Sequence, residues 1–118
     1  MIDTNKKERH MKDKISPPYY AVIFSSIRTD TDEGYAQTAQ HMEALAEKQP
    51  GYLGFETIGS GGKSISISYW DTLDNIAAWK NLPDHVAAQK SGQEKWYKNY
   101  IVRIAKVEKE YSFGMEYP

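Results

Sequence analysis

The apolar positions change period several times along the chain, and each change predicts an element. Residues 19–28, YYAVIFSSIR, are apolar at successive positions at their start and rich in β-formers, as in a strand covered on both faces. TDTDEG follows, with Asp30, Thr31 and Asp32 as candidate helix N-caps. Tyr35, Ala39, Met42, Leu45 or Ala46, and Gln49 then recur at helical spacing until Pro50-Gly51 stops them. A second strand, 52–59, alternates Leu53, Phe55 and Thr57 against Gly54, Glu56 and Ile58, and SGG at 60–62 is a hairpin turn. The third strand, SISISYW (64–70), sets Ser64, Ser66, Ser68 and Trp70 against Ile65, Ile67 and Tyr69. Asp71 and Thr72 cap a helix carrying Leu73, Ile76, Ala77 and Trp79, and Pro83 opens a further helical segment with a bend near Gly92. A long strand, 99–111, closes the pattern and turns charged on one face in its later half, as suits an edge.

This β-α-β-β-α-β order predicts an α+β fold, a ferredoxin-like antiparallel sheet with helices on one face and 19–28 beside 64–70 at its centre. A first strand apolar on both faces then needs a cover on the side without helices. A second copy of the chain, sheet against sheet, supplies one. The serine row has two readings: close approach of that partner sheet, or room for a ligand. Because dimer packing is needed anyway, close approach is the preferred one.

Composition narrows the classes. A chain of 118 residues is one domain, read as a polar flexible tail over 1–17, a folded domain over 18–113 and a short extension over 114–118. Met11 is a candidate biological start. A net charge of −1 gives no reason to expect nucleic acid or an anionic membrane as partner. No apolar run reaches membrane-spanning length and the N-terminus lacks a signal-peptide core, so a cytoplasmic location is expected. Without cysteine there is no disulfide frame, thiolate metal site or thiol nucleophile.

The candidate chemistry is sparse. His10, His41 and His85 form no HxH or HExxH pattern, so no metal site is expected. GSGGKS (59–64) joins two strands with no helix behind it, which makes it a hairpin turn rather than a phosphate loop. What remains is aromatic: Tyr69, Trp70, Trp79, Trp96, Tyr97 and Tyr100, with His85 among them in sequence. These side chains are either core or the lining of an apolar pocket. In a pocket, His85 is the one proton carrier that titrates near neutral pH; otherwise it is an exposed residue at a helix start. Arg28 and Arg103 either hold an anionic group or form surface ion pairs.

The segments YYAVIFSSIR, QPGYLGFE, SISYWDTLDNIAAWKNLPDHVAAQ and WYKNYIVRIAKVE resemble the antibiotic biosynthesis monooxygenase (ABM) family, from Tyr19 to about Phe113. The resemblance implies a dimeric α+β barrel with a pocket in each subunit between sheet and helices. In family members that oxidise aromatic substrates it implies reaction with O2 without metal or flavin, an electron-rich phenolate or carbanion passing an electron to oxygen itself. The expected function is therefore a cofactor-independent monooxygenase of a small aromatic or quinol-like substrate, acting as a homodimer. His85 is the expected base, and Trp79, Trp96, Tyr97, Trp70 and Tyr69 the expected substrate contacts. The alternatives are a non-catalytic dimer that binds a small ligand or serves in stress, and a haem-binding or haem-degrading protein. Haem-degrading relatives of this fold use an Asn on the first strand, a Trp on the second helix and a later His. Trp79 resembles that Trp, but Ser25 and Ser26 stand where the Asn falls and Gln89 where the His falls.

Overall fold

The computed structural model describes residues 15–115; His10, Met11 and most of the polar tail, like 116–118, lie outside the described residues. Along the chain come β1 (Tyr19–Arg28), α1 (Tyr35–Glu47), β2 (Tyr52–Ser60), β3 (Lys63–Trp70), α2 (Leu73–Lys80), α3 (Pro83–Ser91), a π-helical turn over Gly92–Trp96, and β4 (Tyr97–Val107). The sheet order is β2-β3-β1-β4 with every neighbouring pair antiparallel, the ferredoxin-like α+β arrangement that the element order predicts. No helix among the described residues is long and apolar enough to cross a membrane.

Register decides which side chains share a face. Tyr20, Val22, Phe24 and Ser26 of β1 stand opposite Trp70, Ser68, Ser66 and Ser64 of β3, and opposite Lys106, Ile104, Val102 and Tyr100 of β4. Directly opposed residues point the same way, so all of these lie on one side. Trp70 is fully buried there, stacked on Trp79 of α2 at 5.9 Å between ring centroids. The serine row therefore faces the helices, and the preferred expectation that it meets a partner sheet is overturned. The physical reason is the Trp70 indole, too large for anything but the helix-covered layer, which takes its whole alternating set with it.

The other side carries Ile23, Ile65, Ile67, Ile101 and Ala105. Ile65 and Ile101 stay exposed there, so among the described residues nothing covers this apolar face at its middle. Its end near Tyr19 is closed by Tyr69, edge-on to Tyr19 at 5.9 Å, and by Glu110, which accepts from the Tyr19 hydroxyl.

Local chemistry explains most element ends and corrects a few. Gly61 and Gly62, both with positive φ, make the β2–β3 turn. The Thr72 hydroxyl accepts from the Asn75 N–H at 3.1 Å and caps α2 as expected. The candidates Asp30, Thr31 and Asp32 do not cap α1, whose N-cap is Gly34. Arg28 has taken the Asp32 carboxylate at 2.8 Å and the Thr31 carbonyl at 3.0 Å. In α1 the inward stripe runs through Tyr35, Thr38, Met42, Leu45 and Ala46, and Ala39 is exposed. The expected bend at Gly92 is the π-helical turn, where the ring of Tyr97 sits so close that a Cβ on Gly92 would lie 2.8 Å from it. The last strand starts at Tyr97 and stops at Val107, so 108–111 leave the sheet rather than extend it.

Candidate functional site

The helix side of the sheet is only partly roofed. On its floor lie Val22 and Phe24 of β1, Ser66 and Ser68 of β3, and Val102 and Ile104 of β4. Val102 and Ile104 are 44% and 51% exposed although they face the helix side, so the roof stops short of β4. The result is a cleft, open toward the β4 edge, with an aromatic wall at each end.

One wall is Tyr52, Trp70, Trp79 and His85 in sequence of contact. Tyr52 meets Trp70 edge-on at 5.7 Å, Trp70 stacks on Trp79, and Trp79 meets the His85 ring at 4.6 Å. The Trp70 indole N–H donates to the Ser68 hydroxyl at 2.8 Å, which explains one small polar side chain under a large ring. Ser66 is held by the Thr57 hydroxyl at 2.8 Å, and Ser26 and Ser64 approach at 3.5 Å. Because Ser68 already accepts from the indole, its own O–H remains available to donate. The serine row is a band of hydroxyls across an otherwise apolar floor.

The other wall is Phe24, Tyr97 and Tyr100, with ring centroids 5.0 to 5.8 Å apart. Gln93 of the π-helical turn donates to the Tyr100 hydroxyl at 2.8 Å. Behind this wall Arg28 lies 3.5 Å over the Tyr35 ring and donates to the Trp96 carbonyl, while the Trp96 indole donates to the Glu33 carbonyl at 3.0 Å. Burial, reinforced by the Tyr35 hydroxyl, raises the pKa of Tyr97, which stays a neutral phenol.

His85 is the titratable group of the first wall. Burial lowers its pKa below the ordinary 6.5; the Lys80 backbone raises it in part, and the Lys80 charge lowers it again. Its Nδ1 is shielded from solvent and turned to the Lys80 backbone, without a hydrogen bond of full geometry. His85 is thus a neutral imidazole at neutral pH, packed at a tilt of 55° against the Trp79 ring.

The expected site residues are accordingly divided. Trp70, Trp79 and His85 come together; Tyr97 stands in the opposite wall; Trp96 is buried behind that wall as packing. Tyr69 lies on the far face of the sheet, its hydroxyl donating to Glu56 at 2.5 Å. Arg28 is occupied as a structural clamp. Room for a ligand over the serine row was one of the two sequence readings, whereas Phe24, Val102 and Ile104 were not singled out as floor residues. The serine alternation was the available signal. A separate open depression of about 270 Å³, between Pro18, Tyr20 and the Asp71–Asp74 stretch, lies at the end of α2 away from Trp79 and His85. It brings the Asp71 and Asp74 side chains together but no imidazole. Among the described residues no cluster of His, Asp and Glu could hold a metal ion.

Known proteins match both the chain and its fold. Residues 18–91 match the family model for antibiotic biosynthesis monooxygenase. The uncharacterized protein YqjZ of Bacillus subtilis is 47% identical over 98 residues, covering 82% of this chain and 86% of that protein. Among solved structures, SnoaB of Streptomyces nogalater, a cofactor-independent oxygenase, superposes with a TM-score of 0.64 at 8% identity, covering 84% of this chain and 100% of that one. A dimeric ferredoxin-like protein of unknown function from Thermobifida fusca has the same TM-score and coverages at 14% identity. Both likenesses are of fold. The chain belongs to the antibiotic biosynthesis monooxygenase family.

Proposed function

We propose that this protein is a homodimeric, cofactor-independent monooxygenase that oxidises a small hydroxylated aromatic or quinol-like substrate in the cleft between sheet and helices. The observation that carries the reading is His85, a part-buried imidazole packed against Trp79 at 4.6 Å between ring centroids. Family membership supports the reaction class, and SnoaB, a cofactor-independent oxygenase, is built on the same fold. The uncovered apolar face of Ile65 and Ile101, with the dimeric Thermobifida fusca protein of like fold, supports the homodimer.

The chemistry divides among the residues of the cleft. An aromatic ring lies against Trp79 over Val22, Val102 and Ile104, and the Ser68 O–H donates to its oxygen. His85, held neutral by burial, takes the proton from the substrate hydroxyl or activated C–H. The resulting anion passes one electron to O2, the two radicals combine to form a C–O bond, and the His85 imidazolium returns its proton to give a hydroperoxide. Loss of the second C–H proton with cleavage of O–O leaves a carbonyl and water. The four electrons that reduce O2 all come from the substrate, so CH2 and O2 become C=O and H2O, or a phenol and O2 become a quinone and H2O. Excluding bulk water around the anion favours the electron transfer. The open state of the cleft favours a second reading, a dimer that binds such a ligand and does no chemistry.

The test is oxygen uptake by the purified protein against a panel of naphthols, hydroquinones and anthrones, with and without chelator. Uptake that needs the aromatic, survives chelator and falls on the order of 10²-fold or more in His85→Ala supports the oxygenase. Saturable binding without uptake, unchanged in His85→Ala, overturns it in favour of the ligand-binding dimer.

A further inference from the structure

β4 is an edge strand, apolar on both sides. Among the described residues its outer backbone edge faces no other strand, Ile101 is exposed on the open sheet face, and Val102 and Ile104 are exposed in the cleft. The segment that follows has the opposite problem. Tyr111, Phe113 and Met115 are 90%, 98% and 66% exposed, and they fall at every second position, the period of a strand, yet belong to no sheet. Small residues, Ser112 and Gly114, alternate with them.

This segment is poorly built to fold back on its own β4. A tight hairpin needs residues at ease with positive φ, usually Gly, Asn or Asp. The connection after Val107 is Glu108, Lys109 and Glu110, and the one residue beyond it with positive φ, Gly114, comes after the aromatics. The Tyr19 hydroxyl also holds Glu110 at the sheet end. Charge marks β4 as the strand that receives the segment. β4 carries Lys98, Arg103 and Lys106 with no acid, whereas Glu108, Glu110 and, further on, Glu116 stand against Lys109 alone. Seven extended residues reach about 23 Å, enough for more than half of β4.

We infer that residues 109–115 of a second copy add to the free edge of β4 as a further strand, closing the open side of the cleft. The alternation sets the direction of the side chains. With the partner's Phe113 and its neighbouring large residues on the helix side, they extend the apolar floor beyond Val102 and Ile104. The small side of the segment then lies where the two sheets approach. Gly114 leaves its left-handed conformation for an extended one at no steric cost. The cleft of one chain is thus completed by the other, main-chain hydrogen bonds holding the added strand and alternate side chains placing it. The inference rests on the homodimer proposed above and adds to it a partner-supplied wall.

Because the chain has no cysteine, one introduced thiol is uniquely reactive. Phe113→Cys, at an almost fully exposed position, is labelled with benzophenone maleimide in a mixture of ¹⁴N and ¹⁵N chains. Cross-links are mapped by mass spectrometry and the oligomer is measured by light scattering. The expected result is a dimer whose mixed-isotope cross-links map to 100–106 and are lost in an added Ile104→Lys. Cross-links confined to one isotope, or mixed ones mapping to Ile23, Ile65 and Ile67, overturn the added strand while leaving the dimer standing. A monomer by light scattering overturns both.

Discussion

Trp70 and Ser68 allow the layer assignment to be tested by a double-mutant cycle. Trp70 has no exposed surface, and its indole N–H is satisfied by the Ser68 hydroxyl at 2.8 Å. Ser68→Ala removes that acceptor and leaves a buried donor unpaired, at a cost of about 1–3 kcal/mol. Trp70→Phe keeps a ring but removes a few buried carbon atoms and leaves a small void beside Tyr52 and Trp79. Transfer at about 0.8 kcal/mol per carbon and a cavity cost of about 24 cal/mol per Å³ together give roughly 2–4 kcal/mol. In the Trp70→Phe background no indole N–H remains to be orphaned, so a further Ser68→Ala change costs about 0.5 kcal/mol or less. The expected coupling is therefore roughly 1–2 kcal/mol, measured from urea unfolding followed by far-UV circular dichroism at one fixed protein concentration. Additive losses would refute the reasoning. They would mean that the serine row is not shaped around the indole and that its polarity has another origin.

Three further outcomes are expected. Gly92→Ala sets a Cβ 2.8 Å from the Tyr97 ring and destabilises by about 1–3 kcal/mol, with a change in near-UV circular dichroism from the displaced ring; an unchanged melting temperature contradicts this. Arg28→Lys loses the guanidinium that reaches Trp96, Thr31 and Asp32 and lies over Tyr35, costing about 1–2 kcal/mol in the same urea assay. His85 has a folded pKa below its unfolded value near 6.5, so the unfolded chain binds more protons between the two. Stability contributed by the neutral ring is full above that window and is lost as pH falls through 6.5 toward the folded pKa, at no more than about 1.4 kcal/mol per pH unit. Urea midpoints between about pH 5 and 8 should show this extra slope in the native chain and not in His85→Gln.

Element order and the need for a cover on one sheet face were legible because both follow from the period of apolar residues. The doubly apolar start of β1 is a property of the pattern itself. The direction of the serine row was not, because alternation says which residues share a face but not which face is roofed. That choice rests on the burial of Trp70 under Trp79, a contact between α2 and β3 with no local signature. The α1 caps misled for a similar reason. Asp32 is a good cap in isolation, but the turn after β1 sets its carboxylate on Arg28 and the helix N-cap falls two residues later, at Gly34. The aromatic constellation was too inclusive. Tyr69 and Trp70 are adjacent in a strand and so point to opposite faces, and the period alone separates them. The π-helical turn at Gly92, which brings Trp96 and Tyr97 behind and into the second wall, has only a glycine to mark it.

The most direct measurement of the central claim is reaction under ¹⁸O2 with any aromatic that supports oxygen uptake, followed by mass spectrometry of the product. One labelled oxygen atom is expected in each product molecule and the other in water, with product formation lost in His85→Ala. Product without label, or label incorporated undiminished in His85→Ala, would contradict it.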